Sequence, residues 1–198
     1  RMALAPRARP VKIGETFYAK NRRQWRSWLS KHHKTRGEIW LIYYKKDSGM
    51  PRVSYNAAVE EALCFGWIDS IGKPIDDKCF AQRFSPRRPK SKLSPMNRER
   101  VRRLMKARLM TRAGLDALRE HGVGRSAGSL RVVIPKDILE HLKRDPVVWR
   151  NFSRFPASYK RIRIGWIDGS RNRQAAFDKR LRYFLKMTKA NQRFGMVQ

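Results

Sequence analysis

Two stretches of this chain carry almost unrelieved positive charge, and any fold it adopts has to keep most of that charge at the surface. Between Arg83 and Arg112 there are twelve Lys or Arg and one acid, Glu99; between Lys160 and Arg193 there are eleven against two. The segment from Glu38 to Asp77 is different, with seven acids and four bases, a balance suited to a folded core. In total 47 Lys and Arg face 16 Asp and Glu, a formal net charge of +31. Such a surface repels itself and is kept where it meets a polyanion: nucleic acid, an anionic membrane or an acidic partner. Arg outnumbers Lys 30 to 17. The planar guanidinium fork fits phosphate and stacks on bases, whereas the ammonium acts as a point charge. The bias points to nucleic acid, with RNA ahead of DNA.

A disordered basic tail does not fit the rest of the sequence. Hydrophobic residues make up 41% of it, with six Trp, six Tyr and nine Phe, whereas unfolded segments are poor in aromatics. Two cysteines, Cys64 and Cys79, supply neither a disulfide framework nor a four-ligand zinc pattern and are expected to be reduced and buried. No apolar run reaches the ~18 residues of a membrane span. These features predict a cytoplasmic protein, or an organelle-matrix protein freed of a presequence, with no cofactor. Residues 1–14 are basic, contain Pro6 and Pro10 and lack any acid; they are expected to form a flexible arm.

Periodicity predicts an α+β fold: a small mixed sheet with helices in the N-terminal half (residues 15–93) and a helical, basic C-terminal half (residues 94–198). Trp25, Trp28, Leu29 and His32 recur at helical spacing over Arg22 to His33. Glu38 to Lys45 is a buried strand by its β-formers, and Asp47-Ser48-Gly49 is a turn. Ser54 caps a helix running to Phe65 that Gly66 ends. Trp67 to Ile71 and Cys79 to Ser85 are two strands, with Phe80, Gln82 and Phe84 on one face and Ala81 and Arg83 on the other. Ser94-Pro95 opens a helix whose inner face is Val101, Leu104, Met105 and Arg108, and Thr111 caps another to about His121. Gly122 to Gly128 is a loop. Helices follow over Lys136 to Lys143, Val147 to Arg154, Tyr159 to Ile167 and Asn172 to Lys189, the last with a stripe of Phe177, Leu181, Phe184, Leu185 and Thr188.

Four stretches together resemble the YdeI/OmpD-associated, or bacteriocin-protection, family. They are Trp40-Leu-Ile-Tyr-Tyr-Lys-Lys46; Ser54-Tyr55 with Glu60-Glu-Ala-Leu-Cys-Phe-Gly-Trp-Ile-Asp-Ser70; Gln82-Arg-Phe-Ser-Pro-Arg-Arg-Pro89 with Ser91; and Leu109-Met-Thr111 with Ala113-Gly-Leu115. The resemblance runs from about Phe17 to about Leu185. It implies a link to antimicrobial-peptide resistance and to a porin, with no settled catalytic activity. The chain departs from the pattern at Leu93, where a Trp is usual, at Gly122-Val-Gly124, and around Ala175-Ala176, where a Thr-Arg signature is not seen. It is also far more basic than the family.

Three functions compete. The leading one is a non-enzymatic RNA-binding protein, a component or accessory of a ribosome-like ribonucleoprotein. Its phosphate contacts are expected at Arg87, Arg88, Lys90, Lys92, Arg98, Arg102, Arg103 and Lys106 in the first basic block, and at Arg161, Arg163, Arg180 and Arg182 in the second. The second is an envelope-stress protein acting through a protein partner. The third is an enzyme or small-anion sensor built on Tyr55, Asp69, Gln82 and Arg83, with Asp69 pairing an arginine such as Arg83 or Arg87. Cys64 near an acid and arginines raises the prospect of an activated thiolate, but it falls on the apolar side of its helix. The four histidines form neither a metal pair nor a triad.

Overall fold

In a computed structural model, which describes residues 12–89, 91–119 and 131–195, the chain divides into two compact units. The first comprises Arg1–Pro89 and Met110–Ala117, the second Lys90–Leu109 and Leu118–Gln198. The fold is α+β, with strands in the N-terminal half and helices in the C-terminal half. Most of the expected arm over 1–14 and the expected Gly122–Gly128 loop lie outside the described residues.

The first unit is built on a four-stranded sheet of order β1-β2-β4-β3. Its elements are β1 (Thr16–Tyr18), α1 (Arg22–His32), β2 (Ile39–Tyr44), a 3-10 turn over Lys46–Ser48, α2 (Tyr55–Cys64), β3 (Trp67–Pro74) and β4 (Cys79–Pro86). β1 runs parallel to β2 and the other pairings are antiparallel. β1 is three residues long, too short for alternation to reveal it in the sequence. The Asn21 side chain caps α1 by accepting from Gln24 N, and Ser54 caps α2 by accepting from Ala57 N. Trp25, fully buried, donates its indole N–H to Ala58 O at 3.0 Å and packs 5.2 Å from Phe84 on β4. Side chains of this size contribute roughly 2–3 kcal/mol each on burial. Glu61, 2% exposed, is the acid within this core. It accepts from Arg22 Nε at 2.5 Å and Arg26 Nη1 at 2.6 Å, so a buried carboxylate is matched by two guanidinium groups.

The Met110–Ala117 segment of this unit is held at the end of α2. Gly66, at φ 77°, ends α2 as expected. The carbonyl of Cys64 then accepts from both Thr111 N (3.1 Å) and Thr111 Oγ1 (2.6 Å). Thr111 also caps α4 (Arg112–Leu118) by accepting from Gly114 N at 3.2 Å. One threonine thus satisfies an orphan carbonyl of one helix and an orphan N–H of the next.

The second unit is a helical cluster: α3 (Pro95–Lys106), α5 (Lys136–Lys143), α6 (Pro146–Arg154), α7 (Ala157–Asp168) and α8 (Gln174–Lys189). Its core gathers Ile138 and Leu142, Val148 and Phe152, Tyr159, Ile164 and Ile167, and the α8 stripe Phe177, Leu181 and Phe184. Ser94 caps α3 with Pro95 behind it, and Asp145 caps α6 with Pro146 behind it. Asn151 donates its amide to the carbonyls of Thr188 and Lys189 (3.0 and 3.2 Å), closing the end of α8. The expected inner face of α3 needs one correction. Arg108 is exposed and lies beyond the helix at φ 56°, and Met105 is half-buried, so of the four expected positions Val101 and Leu104 are the buried ones.

Three aspartates have carboxyl groups held below the ordinary value of about 3.9. Asp76 accepts the N–H groups of Lys78 and Cys79; Asp145 takes Lys189 and the N–H groups of its own cap; Asp137 takes Arg171. A depressed folded-state pKa gives stability that is present above the unfolded value and is lost as pH falls through the folded one. Thermal melting is therefore expected to be flat from pH 7 to about 5 and to fall below about 4. Asp145→Asn should lower stability at pH 7 but narrow the gap to wild type at pH 3. An equal gap at both pH values would contradict this.

Candidate nucleic-acid interface

The positive charge of the second unit is sorted by the way its helices pack. Glu99, 8% exposed, is the only acid of the first basic block, and it is fully engaged. It accepts from Arg161 Nε and Nη2 at 2.7 and 2.9 Å, a forked pair between α3 and α7, and from Arg102 on its own helix. The Arg161 guanidinium is held more strongly protonated by Glu99, against the cost of burial. Arg163, 6% exposed, lies in an aromatic box with its Cζ 4.3 Å from the Phe194 ring centre, 5.5 Å from Tyr159 and 5.6 Å from Trp166. Its burial lowers its pKa. Arg180 is half-buried, donating to Trp166 O at 2.5 Å with its Cζ 4.8 Å over that ring.

The expected phosphate contacts divide accordingly. Arg163 is withdrawn, because its place on the inner face of α7 puts it in the core. Arg102, Arg161 and Arg180 are tied to groups of the chain itself. Arg87 in the first unit is buried at 8% exposure, so it too is not on display. Lys90 lies outside the described residues. Arg88, Lys92, Arg98, Arg103, Lys106 and Arg182 are exposed, Arg98 while bonding Leu93 O at 3.3 Å.

The structure adds two residues that the sequence reading passed over. Lys179 and Lys186 are exposed on α8 together with Arg182 and Tyr183, the last 44% exposed. At 100° per residue, positions 179, 182, 183 and 186 share one side of the helix, along about 10 Å of rise. Neither lysine nor Arg182 has a carboxylate partner among the described residues. The i, i+3, i+7 spacing of Lys179, Arg182 and Lys186 is the sequence signal that marks this face. Three other acids of this unit are spent on ion pairs, Asp137 and Asp168 on Arg171 and Asp145 on Lys189, while Asp178 on α8 accepts from Gln174 at 2.8 Å.

The small-anion pocket of the first unit is only partly assembled. Tyr55 donates to Asp69 Oδ2 at 2.6 Å, and Gln82 Nε2 donates to Ser70 O at 2.8 Å. Arg83 does not join them. It donates from Nε to Glu38 Oε2 at 2.8 Å and from Nη2 to the same oxygen at 2.5 Å, and no bond joins it to Asp69. The register explains why: Asp69 lies opposite Phe84 and Arg83 opposite Trp40, so strand alternation sends the two side chains to opposite faces. Cys64 is fully buried and burial pushes its thiol up to about 11, the reverse of an activated thiolate. Among the described residues no group of His, Cys, Asp and Glu is placed to hold a metal ion, and no helix is long and apolar enough to cross a membrane.

Comparison with known families also divides the chain in two, although α3, part of the second unit, falls under the first match. A domain family of unknown function, DUF8412, matches residues 17–117, and the chain belongs to that family. Residues 131–191 match the Bacteriocin-protection, YdeI or OmpD-Associated family. The resemblance to the latter therefore holds, but over the helical segment, although the Thr-Arg signature is not seen around Ala175-Ala176. The four motif stretches that suggested it lie under the first family. No curated protein and no solved structure matches the chain.

Proposed function

We propose that this chain is a non-enzymatic RNA-binding protein that works within or alongside a ribonucleoprotein such as a ribosome. The observation that carries the reading is the exposed face of α8, where Lys179, Arg182 and Lys186 surround Tyr183. Cations without carboxylate partners attract phosphates, and an exposed phenol offers a stacking surface for an unpaired base. The exposed bases of α3, Arg98, Arg103 and Lys106, extend the cationic surface of the same unit. Single-stranded segments of folded RNA present both phosphates and splayed bases, which favours RNA over duplex DNA.

The test is binding of a labelled single-stranded RNA at 50 and 200 mM salt, on protein purified without nuclease and checked for co-purifying RNA. Wild type is expected to lose affinity steeply with salt. The variant K179E/R182E/K186E should bind at least tenfold more weakly. Its salt slope should be shallower by about 2, at about 0.7 per released contact. The three positions are exposed, so its melting temperature should stay close to wild type. Wild-type affinity in that variant would overturn the assignment of α8.

A second reading rests on the match of residues 131–191 to a family described by bacteriocin protection. Protection through a protein partner predicts association that salt weakens little and no retention of RNA. Direct capture of a cationic peptide is disfavoured, because a chain of net charge +31 repels it.

A further inference from the structure

The first unit carries a concavity that the α8 surface does not account for. It lies between β1 and α1 and has a volume of about 450 Å³, within the range of small-ligand sites. Its floor is aromatic: the Phe17 and Trp28 rings are 5.7 Å apart and the His32 ring is 5.0 Å from Trp28. Lys20 and Lys31, both exposed, stand among its lining residues, and Ser27 adds a hydroxyl. No carboxylate lines it, and neither lysine has a carboxylate partner among the described residues.

Each feature narrows the occupant. An aromatic floor with polar edges suits a flat heterocycle. Two uncompensated ammonium groups suit a phosphate and repel a cation. The helix face supplies part of the arrangement: Trp28 and Lys31 are three residues apart and Trp28 and His32 four, so the largely buried Trp28 ring, His32 and the exposed Lys31 lie on one side of α1. β1 contributes Phe17, and Lys20 lies in the turn that follows, which explains why an element of three residues matters.

We propose that this groove is a nucleotide subsite, its aromatic floor receiving a base and Lys20 and Lys31 receiving the attached phosphate. The inference deepens the RNA-binding reading, since one nucleotide of a bound single strand would occupy it. The rings hold the base by its face, so the groove is tolerant of base identity.

The experiment is calorimetric titration of the intact protein with adenosine 5′-monophosphate, adenosine and inorganic phosphate, followed by an eight-residue RNA. The monophosphate is expected to bind at least tenfold more tightly than either fragment. The K20E/K31E variant should lose tenfold or more in monophosphate affinity with an unchanged melting temperature, and Phe17→Leu should weaken the monophosphate more than phosphate. The RNA oligomer should weaken in the K20E/K31E variant as well; loss confined to the monophosphate would assign the groove to free nucleotide and overturn its place on a strand. Equal binding of phosphate and monophosphate, or no monophosphate binding, would overturn the subsite. The α8 variant K179E/R182E/K186E separates the two ideas: it should weaken RNA and leave the monophosphate untouched. An RNA-binding protein whose groove variants behave as wild type would lose this subsite and keep its α8 interface.

Discussion

Replacing Gly114 by alanine is expected to cost about 4 kcal/mol, at or beyond the upper end of ordinary overpacking, and to leave little soluble protein. A Cβ at 114 would lie 2.2 Å from Cys64 O, 2.6 Å from Cys64 C and 2.9 Å from Leu63 O. These are backbone atoms at the end of α2 and cannot rotate aside. The only relief is to push α4 away, and that stretches both bonds from Thr111 to the same Cys64 carbonyl. The neighbouring contact gives no slack, because a Cβ at Gly66 would lie 2.7 Å from Ala117 Cβ, and Gly66 sits at positive φ besides. Gly37→Ala is the control: its Cβ meets nothing within 4 Å. Urea unfolding monitored by tryptophan fluorescence should show a midpoint far below wild type for Gly114→Ala and little change for Gly37→Ala. A wild-type midpoint for Gly114→Ala would mean that α4 does not press on α2 as described.

That contact also gives two of the sequence motifs a physical meaning. Glu60 to Ser70 and Leu109 to Leu115 are distant in sequence, yet they meet at Cys64, Gly66, Thr111 and Gly114. The motifs could be recognised from residue types alone, but their partnership could not. Elements with long periodic faces were readable in the same direct way. The α8 stripe, the Ser54 and Ser94 caps and the Gly66 stop all depend on neighbours within a turn or two. What escaped depends on pairing between distant segments. β1 exists because β2 offers it an edge. Arg83 turns to Glu38 because the register of β3 against β4 places Asp69 on the other face. Arg163 was the avoidable miss: Tyr159, Ile162, Arg163 and Ile167 are spaced as an inner helical face, and a count of charge alone hid that pattern.

Glu99→Ala is expected to destabilise the second unit by about 3–5 kcal/mol, the range for breaking a buried ion pair from one side. With Glu99 gone, Arg161 and Arg102 keep their burial, at 15% and 25% side-chain exposure, and lose the carboxylate that offset it. Arg100, 6% exposed on the same helix, adds a third cation to a region left without an acid between Arg83 and Arg112. Glu99→Gln keeps the shape and one acceptor oxygen, so it should lose less than alanine, and most of its loss reports the missing charge. Introducing Arg161→Met beside Glu99→Ala should recover part of the loss, since an apolar side chain can occupy a buried pair's place at little cost. A double-mutant cycle by chemical denaturation measures the coupling, and a value under about 0.5 kcal/mol would show that the forked pair does not hold α3 to α7. RNA affinity supplies the complementary reading. The carboxylate occupies two arginines that the sequence had assigned to phosphate, so the folded fraction of Glu99→Gln should bind RNA no more weakly than wild type, whereas reversing charge on α8 should weaken it tenfold. The opposite ranking would move the interface from α8 to the Glu99 cluster.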